Sequence, residues 1–188
     1  PHSIILSPDK KSIYLISGNH TDVPPMDAYR LPKNWQEDNI FPLIKDPRGH
    51  ANDRYAPGGW IANIDPEGKK WELISAGYRN AFDIAFNETG DLFVYDADME
   101  WDFGLPWYRP TRICHVTSGS EYGWRTGNSK WSTTYPDNLP PVLNIGQGSP
   151  TSLLSLRDAK FPAKYKKSLL AFDWTFGIGH IIKLKPSG

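Results

Sequence analysis

The strongest constraint in this chain is a strand–turn–strand unit that returns along its length. "SIILSPDKKSIYLISGN", Ser3 to Asn19, places an apolar strand (Ile4 to Leu6) before a Pro-Asp turn and a second β-rich strand (Ile13 to Ile16). β-Branched and aromatic residues flanking such a turn are the signature of a hairpin. "DIAFNETGDLFVYDAD", Asp83 to Asp98, repeats the pattern around Asn-Glu-Thr-Gly. A looser copy runs from Thr151 to Trp174, where "TSLLSL" and "SLLAFDW" flank "RDAKFPAKYKK". Between these copies, "WIANIDPEGKKWELIS", Trp60 to Ser75, reads as another hairpin, and Arg112 to Gly119 and His180 to Gly188 read as single strands. Only Phe161 to Lys167 has helix-forming content, and it is short.

Hairpins that recur as variants of one unit, with little helical periodicity, predict a repeat architecture. A β-propeller blade is a four-stranded sheet of about 40 to 50 residues. The copies begin near residues 3, 82 and 151, farther apart than one blade requires. Two loop-rich stretches, His20 to Gly59 and Phe103 to Pro141, absorb the excess. Loops of this length in a compact domain tend to carry function or to be disordered. The expectation is an all-β propeller domain over 1–188, with blade-like units near 3–76, 82–145 and 151–188. About three blades fall short of the roughly four to eight that close a ring. The chain is therefore expected to be part of a larger propeller or to need a partner half.

Composition agrees with short strands and many turns. The 188 residues include 16 Gly and 17 Pro, and aromatics make up 13%. Lys+Arg and Asp+Glu number 21 each, so the formal net charge is zero. That balance argues against a nucleic-acid partner, which calls for a basic surplus. No apolar run approaches the roughly 18 residues that suggest a membrane-spanning helix. The one cysteine, Cys114, excludes an internal disulfide and reads as a small buried hydrophobe. The chain has no G-x-S-x-G elbow, P-loop, G-x-G-x-x-G or H-E-x-x-H, which argues against most serine hydrolases, nucleotide enzymes and zinc peptidases.

Three stretches could carry chemistry. In "GYRNAFDIAF", Arg79 and Asn80 precede an apolar strand, where the mouth of a propeller channel would lie. Arg offers a planar donor fork and Asn both a donor and an acceptor, although a salt-bridged turn accounts for the pair equally well. In "YDADMEWD", Asp96, Asp98, Glu100 and Asp102 stand at every second position, roughly 7 Å apart along a strand. Such a run is either a solvated edge or a site for a hard cation such as calcium, which takes about six to eight oxygen ligands. It is not an EF-hand loop, because Trp101 stands at the sixth position, where Gly is needed. The expectation is that Asp96 completes the strand while Asp98, Glu100 and Asp102 converge on a cation from the loop. In "SGSEYGWRTG", three glycines frame Tyr122 and Trp124, and Trp101, Trp107 and Trp124 are candidates to shape a pocket for a sugar face.

Together, "PHSIILSPDKKSIYLISGNH", "GYRNAFDIAFNETGDLFVYDADMEWD", "PWYRPTRICHVTSGSEYGWRTG" and "AKFPAKYKKSLLAFDWTFG" resemble the planctomycete-type membrane-bound dehydrogenase domain. That domain belongs to the glucose/sorbosone dehydrogenase superfamily of six-bladed propellers. The resemblance implies a sugar or polyol substrate, pyrroloquinoline quinone and calcium as cofactors, and a periplasmic or extracellular location, with membrane association. It also implies a cytochrome-c-like domain elsewhere in the full protein, since no C-x-x-C-H haem motif occurs in this chain. Arg79 and Asn80 match the family's quinone- and substrate-contacting pair, and Asn19 stands where the family has Asp. Thr175 stands near the position of a quinone-holding Lys. The family's catalytic His falls before Pro1, so the resemblance places no catalytic base in this chain. The second reading is a non-catalytic propeller that binds carbohydrate or a protein partner around a structural calcium.

Overall fold

The computed structural model describes residues 1–35, 44–45, 49, 51–127 and 129–185. Among them the chain is all-β apart from one 3-10 turn, Ala163–Tyr165. No described helix is long and apolar enough to cross a membrane.

Three antiparallel sheets follow one another in chain order. The first joins β1 (Ser3–Leu6), β2 (Ile13–Ser17), β4 (Gly59–Ile64) and β5 (Trp71–Tyr78). Two short strands, β3 (Ala28–Tyr29) and β9 (Ser120–Glu121), add to β5 in parallel. The second sheet is β6 (Ala81–Phe86), β7 (Leu92–Asp96), β8 (Thr111–Val116) and β12 (Leu143–Gly146). The third holds β13 (Pro150–Ser155), β14 (Ser168–Asp173) and β15 (Ile178–Lys183). The last three residues of the strand expected over His180 to Gly188 lie outside the described residues. A small ribbon, β10 (Trp124–Arg125) with β11 (Ser129–Lys130), lies in the loop between β8 and β12. Each sheet is a meander in which successive strands pair, the pattern of propeller blades.

Side-chain alternation explains why the sheets stack. On β7, Leu92 and Val94 join a core with Ile16 and Ile61 of the first sheet, while Phe93 and Tyr95 join a core with Leu153 and Leu169 of the third. On β8, Cys114 and Val116 face the first sheet and Ile113 the third, so Cys114 is the buried hydrophobe its setting suggested. The second sheet is apolar on both faces because it is buried on both, which period-2 alternation permits only with hydrophobes at odd and even positions alike. Each such aliphatic side chain contributes about 1.5–3 kcal/mol of burial. The outer face of the first sheet is covered by its own long β2–β4 connection, from which Val23, Met26, Leu31 and Trp35 close over Trp60 and Leu73. On the third sheet, Leu154, Phe172 and Ile181 remain 48, 39 and 41% exposed.

Candidate functional site

The turn between the first and second sheets is held from beneath by a buried carboxylate. Asp96, the last residue of β7, accepts the backbone N–H of Asn80 (3.0 Å) and of Arg79 (3.3 Å). Arg112 on β8 donates from Nε to Asp96 Oδ2 (3.0 Å) and from Nη2 to the Tyr122 carbonyl (2.8 Å). Both side chains are almost wholly buried. Burial alone disfavours the Arg112 charge, but Cys114 and Asp96 beside it hold its proton more tightly than usual. Tyr122 stacks on Tyr78 (centroids 5.0 Å apart), and burial raises both phenols, so the support beneath the turn stays protonated and packed. The β6–β7 register shifts between Ala81 and Asp83. Bulges of this kind re-aim the chain where a site is built.

Glycines allow the close approach at this end of the sheets. Gly77 has φ +84°, and a Cβ there would lie 1.7 Å from Glu121 Oε1 and 2.5 Å from the Tyr122 backbone nitrogen. A Cβ on Gly18 would lie 1.9 Å from Asn80 Oδ1. The end of β2 and the Arg79–Asn80 turn therefore meet with no space between them.

Beside this support lies a narrow cleft of about 30 Å³. Its walls include Asn19 from the end of β2, Arg79 from the turn, Glu100 and Trp101 from the segment after β7, and Trp124 from β10. The structure thus brings together Asn19, Arg79, Glu100, Trp101 and Trp124 from separated stretches of chain. Asn80 is not on the cleft wall; its amide lies against Gly18 and its N–H is held by Asp96. Trp107 is exposed and lies outside the cleft. Asn19 is only 4% exposed, yet neither its Oδ1 nor its Nδ2 has a hydrogen-bond partner among the described residues. An amide buried without partners costs about 1–3 kcal/mol, so Asn19 is a polar group of the cleft wall whose hydrogen-bonding capacity the described residues leave unused.

The carboxylates after β7 do not converge. Asp102 is fully buried, with Arg109 donating from Nε (3.0 Å) and Nη2 (2.8 Å) to its Oδ2. Burial raises its pKa, against the pull of Arg109. Asp98 Oδ2 lies 2.9 Å from the Tyr108 hydroxyl, which is also 2.6 Å from the Gly146 carbonyl. Glu100 is exposed at the cleft. Among the described residues no three His, Cys, Asp or Glu side chains are grouped to hold a metal ion. The expected convergence of Asp98, Glu100 and Asp102 on calcium is therefore corrected. The chain reverses after Asp102, bridging to Leu105, while Met99 exchanges backbone hydrogen bonds with Arg109 (2.9 and 2.7 Å). That reversal commits Asp102 to Arg109.

The other cleft residues could not be assigned from local sequence. Ala51, Met99, Phe103 and Thr126 reach the wall through long-range packing. Met99 is fixed by the Trp124 indole N–H, 3.4 Å from its sulfur. The glycine-framed stretch around Trp124 was a usable signal, because its tight turns set that ring against the Gly58 backbone.

No family model and no curated protein matches this chain. Several solved structures are similar in fold. One is the quinone (PQQ)-bound form of an aldose sugar dehydrogenase from Streptomyces coelicolor, 17% identical, with a TM-score of 0.62 over 98% of this chain and 45% of that one. Another is an oxidoreductase described as a glucose dehydrogenase from Thermus thermophilus, 18% identical, with a TM-score of 0.61 over 98% of this chain and 48% of that one. The chain spans about half the length of these structures and shares their β-propeller fold.

Proposed function

We propose that this chain forms part of a dehydrogenase that oxidises a sugar or polyol, and that its cleft supplies one wall of the site for substrate and a quinone cofactor. The observation that carries the reading is the meeting of Arg79, the unpartnered Asn19 amide, Trp101 and Trp124 in one cleft. Arg79 supplies a cationic fork for the carboxylates of a polyacidic quinone such as pyrroloquinoline quinone. Trp101 supplies a flat apolar face, with the buried Trp124 packed behind the wall, and Asn19 supplies one donor and one acceptor for hydroxyls. A bound quinone would provide the two-electron acceptor; the residues of this chain bind and orient. Two solved structures with this fold are themselves described as sugar or glucose dehydrogenases, which adds support.

The test is dye-coupled sugar oxidation by the full-length protein supplied with pyrroloquinoline quinone, with and without calcium, alongside quinone titration followed by tryptophan fluorescence. Arg79→Ala should weaken quinone binding about 10- to 100-fold, the loss expected for one hydrogen bond to a charged group. Absence of both quinone binding and dye reduction overturns the proposal. A second reading, a propeller that binds carbohydrate without oxidising it, is favoured by the lack of a grouped cation site among the described residues. It predicts sugar binding with no quinone-dependent fluorescence change.

A further inference from the structure

A second cleft adjoins the narrow one and is far roomier, at about 260 Å³ against about 30 Å³. Asn19 lies on the wall of both. The rest of the second wall includes Asp22 and Trp35, from the connection after β2, and Asp53 and Tyr55, from the segment that leads into β4. That segment, 51–58, stands between the two spaces: Ala51 faces the first and Asp53 and Tyr55 the second. It is pinned at two points. The Thr126 hydroxyl donates to the Arg54 carbonyl, and the Gly58 backbone lies so close to Trp124 that a Cβ would fall 2.4 Å from the ring. The second cleft therefore has a fixed wall, braced from behind by β10 and the residue after it.

The charges of this cleft favour a cation. Asp22 and Asp53 line it, and among the described residues no Lys, Arg or His does. Arg54 faces the two carboxylates from off the wall, at 4.0 and 2.9 Å, which leaves one negative charge in excess. Both carboxylates are largely exposed, so their attraction is screened by salt and selects little alone. Asn19 adds the selectivity. It is buried, and its Oδ1 has no partner among the described residues, so it accepts from any N–H brought to the wall. A primary ammonium has three N–H groups to share between that oxygen and the carboxylates; a quaternary ammonium has none. A metal ion fits less well, because no three His, Cys, Asp or Glu side chains are grouped among the described residues. Tyr55, 59% exposed, and the half-buried Trp35 add ring surface, which attracts a cation and packs against an apolar stem.

We propose that the second cleft is a binding site for a primary ammonium ion carried on a short apolar stem. The ammonium donates to Asp22, Asp53 and Asn19 Oδ1, and the stem lies against Tyr55 and Trp35. The site is independent of the quinone reading, which the quinone titration tests separately.

The experiment is calorimetric titration of the full-length protein, at neutral pH and low ionic strength, with 2-phenylethylamine, 2-phenylethanol and phenylacetate. These share a ring and differ in charge. The amine should bind about tenfold more tightly than the alcohol, the gain expected for a hydrogen bond to a charged group, and phenylacetate should bind most weakly. Replacing both acids, Asp22→Asn with Asp53→Asn, should bring the amine-to-alcohol affinity ratio close to one. Tyr55→Ala should weaken the amine and the alcohol together, and Asn19→Ala should weaken the amine more than the alcohol. An amine that binds no more tightly than the alcohol, or a ratio unmoved by the double substitution, overturns the site. So does amine binding that Tyr55→Ala leaves unchanged, since the amine would then be bound elsewhere.

Discussion

The two ends of β7 carry the same residue type in opposite circumstances. Asp91, just before the strand, is half-exposed and accepts from the Thr89 hydroxyl (2.6 Å) and the Asn87 amide (3.1 Å). Those partners lie within four residues, and the arrangement closes a hairpin turn that would form in almost any context. Asp96, at the far end, is wholly buried, and its partners Arg79, Asn80 and Arg112 are each about sixteen residues away in sequence. One carboxylate closes a turn. The other holds two sheets together and sets the turn that carries Arg79 beside the cleft.

The sharpest way to break this comparison is to remove each acid. Asp96→Ala leaves Arg112 buried without its carboxylate and frees two backbone N–H groups, so it should cost about 3–5 kcal/mol in urea unfolding, whereas Asp91→Ala should cost no more than about 0.5 kcal/mol. Equal costs would mean that the Asp96 network carries no more than the hairpin turn does. Replacing Asp96 and Arg112 together with Leu and Met should recover much of the loss.

A smaller effect tests whether close packing is a property of the cleft end in general. Gly58 has φ +72°, with Trp124 and the Tyr78 carbonyl 2.4 and 2.6 Å from a Cβ position. Gly58→Ala should therefore cost about 1–3 kcal/mol through strain and overpacking. The hairpin-end Gly90 also has positive φ, but its nearest neighbour lies 4.0 Å from a Cβ position. Gly90→Ala should cost less, and thermal melts of both variants compare the two ends directly.

The smallest effects are in pH dependence, and they have opposite signs. Hydrogen bonds from Thr89 and Asn87 hold Asp91 below the ordinary 3.8, so its contribution is present above 3.8 and is lost as pH falls through the lowered value. Asp102 is raised by burial, so its contribution is complete below 3.8 and is lost as pH rises through the raised value. Carboxyl-carbon NMR titration should show a midpoint below 3.8 for Asp91 and above it for Asp102. The reverse order would show that burial does not dominate at the cleft end.

How much was legible follows the range of the interactions. The hairpin from Ser3 to Ser17 was readable because alternation and the Pro-Asp turn are local, and the structure pairs Ile5 with Tyr14 and Leu6 with Ile13 as that turn requires. β12 was not readable as a strand. Leu143 to Gly146 is short, and it is fixed only by pairing with β8 some thirty residues earlier. The even spacing of Asp96, Asp98, Glu100 and Asp102 suggested one shared task, but the chain leaves the strand after Asp96 and the four acids take separate surroundings.

By itself, the sequence determined the all-β repeat character of the chain, because period-2 alternation and turn residues act over a few positions. It also singled out Arg79, Trp101 and Trp124 as residues whose chemistry suits a binding cleft. Only the tertiary structure decided that Asn19 would be buried with its amide unsatisfied between two clefts, that Asp96 would serve as a buried anchor, and that Asp102 would be committed to Arg109. Those outcomes depend on which distant groups share a low-dielectric space. A carboxylate or amide in sequence carries no record of that space until the sheets have stacked.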